Sequence, residues 1–231
     1  MRNTSLVVLG AAAIFSAMAS PAISHEQGDW IVRVGTATVD PGESSSTITT
    51  AATGALPGTS AGLDSDTQLG LNIAYMLTDN VAVELLAATP FSHTITAKGL
   101  NQYLAVDESF NFADTKHLPP TLSVQYYFGD KTSALRPYVG VGINYTVFFE
   151  ESLSGYSKAN LAASNLELDD SIGLAAQAGV DYMLNDKWLV NASIWHMDID
   201  TEATFDTALG KGKVDVDIDP WAYMLSVGYR F

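Results

Sequence analysis

The chain has 231 residues, 26 acidic side chains against 11 basic ones, a formal net charge of -15 and no cysteine. That length and an unbroken composition fit one domain. The missing cysteines exclude disulfides and thiolate metal centres, and the negative charge argues against nucleic acid as a partner.

Residues 1–24 begin with Arg2 after the initiator, run through LVVLGAAAIF and end in small residues, with Ala22 and Ser24 placed for cleavage. This predicts a secretory signal peptide over 1–24, followed by a single domain over 25–231 that starts at His25. No later stretch approaches the ~18 uninterrupted apolar residues of a helical span.

Eight alternating apolar runs follow: Trp30 to Asp40, Asp66 to Leu77, Val81 to Ala97, His117 to Phe128, Arg136 to Glu151, Asp170 to Leu184, Trp188 to Thr204 and Lys213 to Phe231. Leu69, Leu71, Ile73, Tyr75 and Leu77 keep period two rather than 3.6, so these are strands. Three joints, at Thr78 to Asn80, Gly129 to Leu135 and Asn185 to Lys187, are short and turn-like; the segments between them are long and rich in Ser, Thr, Gly and Asp.

The last run sets the environment. In WAYMLSVGYRF, Tyr223, Leu225, Val227, Tyr229 and Phe231 share one face, with small or polar residues on the other. A span of ~9–11 tilted residues with aromatics at both ends is what an outer-membrane strand requires, and lipid demands that the sheet close. The reading is all-β: an eight-stranded antiparallel transmembrane β-barrel in a Gram-negative outer membrane, with both termini and short turns periplasmic and long loops outside. Tyr229 and Phe231 are expected to form the assembly signal read by the barrel assembly machinery. A soluble lipocalin-like barrel is the competing architecture. It is disfavoured because the non-apolar face carries mostly Gly, Ala, Ser, Asn and Gln rather than Lys and Glu.

Most acidic residues fall in the long-loop half, a surface suited to lipopolysaccharide bridged by divalent cations, or simply to solvation. Asp215, Asp217 and Asp219 lack the turn glycine and distal glutamate of a calcium loop, and neither a metal nor any other cofactor is expected. An enzyme of the same barrel size would need a base near the outer leaflet, for which only His93, His117 and His196 are available.

The runs DTQLGLNIAYM, TDNVAVELLAATPF, HLPPTLSVQYYFGD, RPYVGVGINYTVFFE, WLVNASIWHMDID and DPWAYMLSVGYRF together resemble the OmpW family of small outer-membrane proteins. The resemblance implies a porin-like barrel with a narrow apolar lumen associated with the passage of small hydrophobic molecules, including alkanes in some relatives. It also implies that Leu86 and Trp195 narrow that lumen. Strand parity points both residues inward.

Parity also places Arg33, Glu84, Asp181 and Arg230 inside, all near the short-turn end. They are expected to form a periplasmic ionic plug, with an apolar funnel of Met76, Leu86, Trp195, Met197, Ile199, Val214, Val216 and Ile218 above it. Pro90, Pro119 and Pro120 lie on adjacent strands and cannot donate to a ladder, which suggests a lateral opening into the membrane. The expected function is uptake or efflux of small hydrophobic solutes. The alternatives are a filled, non-conducting structural barrel and an adhesin or phage receptor acting through the acidic loops.

Overall fold

The computed structural model describes residues 25–42 and 44–231; the signal peptide expected over 1–24 lies outside them. The wall consists of β1 (Trp30–Asp40), β2 (Asp66–Met76), β3 (Val81–Ala88), β4 (Thr121–Tyr127), β5 (Leu135–Leu153), β6 (Ser171–Met183), β7 (Trp188–Met197) and β8 (Trp221–Arg230). Each pairs antiparallel with its neighbours in sequence, and β1 pairs β8 from Ile31↔Arg230 to Asp40↔Trp221, which closes the barrel. Among the described residues no helix is long and apolar enough to cross a membrane; the wall crosses with strands.

The outer face settles lipid against water. Val141, Ile172, Leu174 and Leu225 are 68%, 73%, 71% and 67% exposed, an apolar belt that water would not support. Trp30 packs on Tyr75 at 4.9 Å and Trp188 on Tyr229 at 5.0 Å between ring centroids, an aromatic girdle at the short-turn end. The joints there are tight: the Leu77 amide donates to the Val81 carbonyl and the Leu184 amide to that of Trp188, both at 2.8 Å.

Four of the expected strands each divide in two. Val81 to Ala97 breaks after β3 and resumes as Phe91–Lys98; His117 to Phe128 comprises the end of Ser109–Leu118 and then β4; Trp188 to Thr204 is β7 plus part of Asp200–Thr207; Lys213 to Phe231 is part of Gly210–Asp217 plus β8. Three of the breaks fall at Pro90, at Pro119 and Pro120, and before Trp221 at Pro220, where a residue without an N–H cannot hold the ladder; the fourth, at Asp198 and Ile199, has no proline. Beyond β7 the chain trades its wall neighbours for its own hairpin, from Asp200↔Asp217 to Thr207↔Gly210.

The long loops are therefore largely strand. One sheet joins Ser60–Leu63, Phe91–Lys98, Ser109–Leu118 and the outer part of β5. A second joins Ser164–Leu168, Asp200–Thr207, Gly210–Asp217 and the short strands Ser44–Ser45, Thr49–Thr50 and Gly54–Ala55. Helix α1 (Gly155–Leu161) is capped by the Ser154 hydroxyl, which accepts from the Ser157 amide.

Phe231 projects outward, 72% exposed, and its amide donates to the Trp30 carbonyl at 2.9 Å while its ring meets Tyr229 at 4.7 Å. Deleting it is expected to leave export intact and to lower the folded, membrane-inserted fraction severalfold. Heat-modifiable gel mobility of outer-membrane extracts measures this, and a wild-type inserted fraction would contradict it.

Candidate functional site

The lumen is layered. At the short-turn end, inward side chains from the first or last residues of the wall strands make an apolar cluster that includes Ile31, Met76, Met183 and Leu189, each at most 3% exposed. Met76 therefore lies below the charged layer, not in the funnel above it. The reason is strand direction: β2 descends, so Met76 is nearer the periplasmic turn than Ala74, the partner of Glu84.

One turn of the pleat further in, Arg33, Glu84 and Asp181 are fully buried together. The Arg33 guanidinium donates to Asp181 through Nε at 3.1 Å and Nη2 at 2.5 Å, to Glu84 Oε2 through Nη1 at 3.0 Å, and to the Tyr127 hydroxyl at 2.7 Å. His25 adds Nε2, 2.7 Å from Asp181 Oδ2, and sets its ring edge-on to Tyr127. Asn72 donates to Glu84 at 2.9 Å and Asn191 to Asp181 at 2.8 Å. Such saturation is what makes buried charge tolerable.

Arg230, expected in this plug, is at the rim: it donates to Asp29 Oδ2 at 3.3 Å and to the Asp186 carbonyl at 3.0 Å. It ends β8, where a long side chain reaches the water boundary rather than the lumen. His25, Tyr127, Tyr138 and Arg136 were missed. Strand parity gives the two tyrosines, since Tyr126 and Val139 face out. His25 precedes the first strand and carries no periodic signal.

Tyr138 lies over Gly179, where a Cβ would come within 2.4 Å of its ring, so the missing side chain makes room for the ring. Arg136 caps the turns, donating to the carbonyls of Phe128 at 3.0 Å and Asp79 at 2.9 Å.

Above the charges lies an amide layer: Gln177 donates to Ser123 at 2.7 Å and Glu84 at 3.2 Å, and Gln125 to Gln177 at 3.1 Å. The lumen then turns apolar. Leu86 on β3 and Trp195 on β7 stand on strands four apart in a ring of eight, so they face each other across the lumen, 7% and 1% exposed. The Trp195 Nε1 is buried without a partner. Met197 and Ile199 continue the column.

Val214, Val216 and Ile218 are buried as expected, but the first two belong to the outer sheet and Ile218 directly follows it, outside the wall. There they help line a cavity of about 120 Å³, with Ile48, Leu56, Ile95, Phe112 and Phe205 among its other walls. Nearly every lining side chain is apolar, so the space favours hydrocarbon over water.

The three prolines meet at one seam. The β3–β4 ladder runs from Tyr126↔Val81 to Thr121↔Leu86 and stops. Pairing between the two segments resumes only at Phe91↔His117. Residues 87–90 and 118–120 lie in between, with Pro90 exposed and Pro119 buried. The carbonyls of Pro119 and Pro120 turn instead to Asn144 and Tyr145.

Directly above the seam His93 and His117 stack, centroids 4.8 Å apart and planes 13° from parallel. His196, by contrast, sits against Trp221 on the outer side of β7.

The OmpW family model matches residues 26–231. Outer membrane protein W of Vibrio cholerae serotype O1 is 45% identical over 224 residues, covering 97% of this chain and 98% of the relative. The protein of that name from Escherichia coli strain K12 is 44% identical over 225 residues, covering 97% and 99%. The crystal structure of the outer membrane protein OprG from Pseudomonas aeruginosa superposes with a TM-score of 0.84 at 49% identity, over 90% of this chain and 98% of that one. With its apolar belt and closed eight-stranded wall, the chain is an outer-membrane β-barrel and belongs to the OmpW family.

Proposed function

We propose that this barrel carries small hydrophobic molecules from the outer surface into the membrane, rather than through to the periplasm. The observation that carries this reading is the sealed floor: Arg33, Glu84 and Asp181 fill the lumen with hydrogen-bonded charge, and a second apolar plug closes it below. The charged layer does not suit an apolar solute, whose transfer past it breaks bonds that the solute cannot replace.

Above the floor the column is apolar and runs on into the outer-sheet cluster, and the seam at Pro90, Pro119 and Pro120 lies level with its lower end. A solute enters between the acidic loops, occupies the cavity, descends to the constriction of Leu86 and Trp195, and leaves sideways where the ladder is interrupted. Lipopolysaccharide surrounds the entrance, and the residues before His25 serve as the export signal.

Leu86→Trp should fill the constriction and cut delivery of an apolar dye at least tenfold. Delivery is read in vesicles with a lipopolysaccharide outer leaflet, while gel mobility reports an intact barrel. Unchanged delivery would favour a filled, non-conducting lumen at this level.

A further inference from the structure

We infer that His93 and His117 form a recognition point for the hydroxyl of an amphiphilic solute, so that the barrel selects a long-chain alcohol over an alkane of equal length. The inference deepens the lateral-exit reading and rests on it. Both residues are buried, 2% and 3% exposed, and neither His93 Nε2 nor His117 Nδ1 has a hydrogen-bond partner. Buried polar atoms are normally paired, so two orphans on stacked rings call for a guest.

Their position is on the solute's route. Ile95 and Ala97, two and four residues along the same inward face from His93, line the outer cavity. His117, opposite Phe91, forms the first pair beyond the break in the ladder. Phe91 stacks on His117 at 5.5 Å and Phe148 flanks it at 5.8 Å. A molecule moving from cavity to seam therefore passes two polar atoms set in an aromatic slot.

The tautomers identify the head group. His93 Nδ1 is 2.5 Å from the Asp64 carbonyl oxygen; a carbonyl only accepts, so Nδ1 carries the proton, and in that tautomer Nε2 is the acceptor. Nε2 then needs a donor. His117 Nδ1 can take the proton and donate. A hydroxyl can donate to the first atom or accept from the second, whereas an alkane can do neither.

A metal ion fits less well. Among the described residues no group of three His, Cys, Asp or Glu is placed to hold one.

The test uses the full barrel in vesicles with a lipopolysaccharide outer leaflet, offered 1-decanol and decane in competition, with passive entry subtracted. The ratio of alcohol to alkane delivery is expected to fall about tenfold in His93→Leu and in His117→Leu, each having lost one hydrogen bond. His93→Gln, which retains an acceptor, should recover part of the ratio.

An unchanged ratio with both solutes delivered overturns the recognition point and leaves the lateral route standing. Delivery of neither solute by the wild type overturns the route itself. In the wild type, the imidazole nitrogen resonances of His93 and His117 should also move with 1-decanol and not with decane. Resonances that ignore the alcohol overturn the assignment even if a variant misfolds.

Discussion

Replacing Arg33 with methionine is expected to destabilise the barrel by about 3–5 kcal/mol, because Glu84 and Asp181 would be left buried and facing each other without a cation. The Arg33 side chain is fully enclosed, and it makes four of the hydrogen bonds that hold the layer together. Asp181→Asn in the same background should restore part of the loss. The double change should then miss additivity by about 0.5–3 kcal/mol, as contacting members of one network do.

Arg230→Met offers the contrast. Its partners, Asp29 and the Asp186 carbonyl, lie at the rim outside the charged layer, so the loss should be smaller than at Arg33 and should add to that of Glu84→Gln. Denaturant unfolding in lipid bilayers measures all of these. Additive losses at Arg33 and Asp181 would show that the layer is filling rather than a coupled cluster.

The wall was legible because its chemistry is periodic. Alternation along Asp66 to Leu77 and the aromatic ends of the last run give strand, outward face and membrane together, and β1 falls on the residues expected for it. The prolines were legible too, since their missing donors forecast an interruption that the pairing displays between Leu86 and Phe91.

Other features were hidden for definite reasons. Alternation does not reveal where a strand leaves the wall, so Val214, Val216 and Ile218 carried the same inward signal as wall residues although they pack over the barrel, in the outer sheet or directly after it. Parity gives a face but not a level. Parity alone sets Met76 too high unless the descent of β2 is counted, and it draws Arg230 inside although a terminal arginine can reach water. His25 and the His93–His117 stack depend on contacts between segments far apart in the chain, which no local pattern encodes.

A lateral route requires the seam to open. Continuing the register of Thr121↔Leu86 sets Ala88 opposite Pro119, the separation at which a disulfide can form when Cα atoms lie within about 7 Å. The chain has no cysteine of its own, so Ala88→Cys with Pro119→Cys introduces a single bridge, formed by mild oxidation and opened by reductant. The measurement is the rate at which an apolar dye reaches the bilayer of vesicles with a lipopolysaccharide outer leaflet, taken on the same preparation before and after reduction. Delivery should stay near background while the bridge is closed and recover at least tenfold when it opens; equal rates in the two states would rule out exit through the seam.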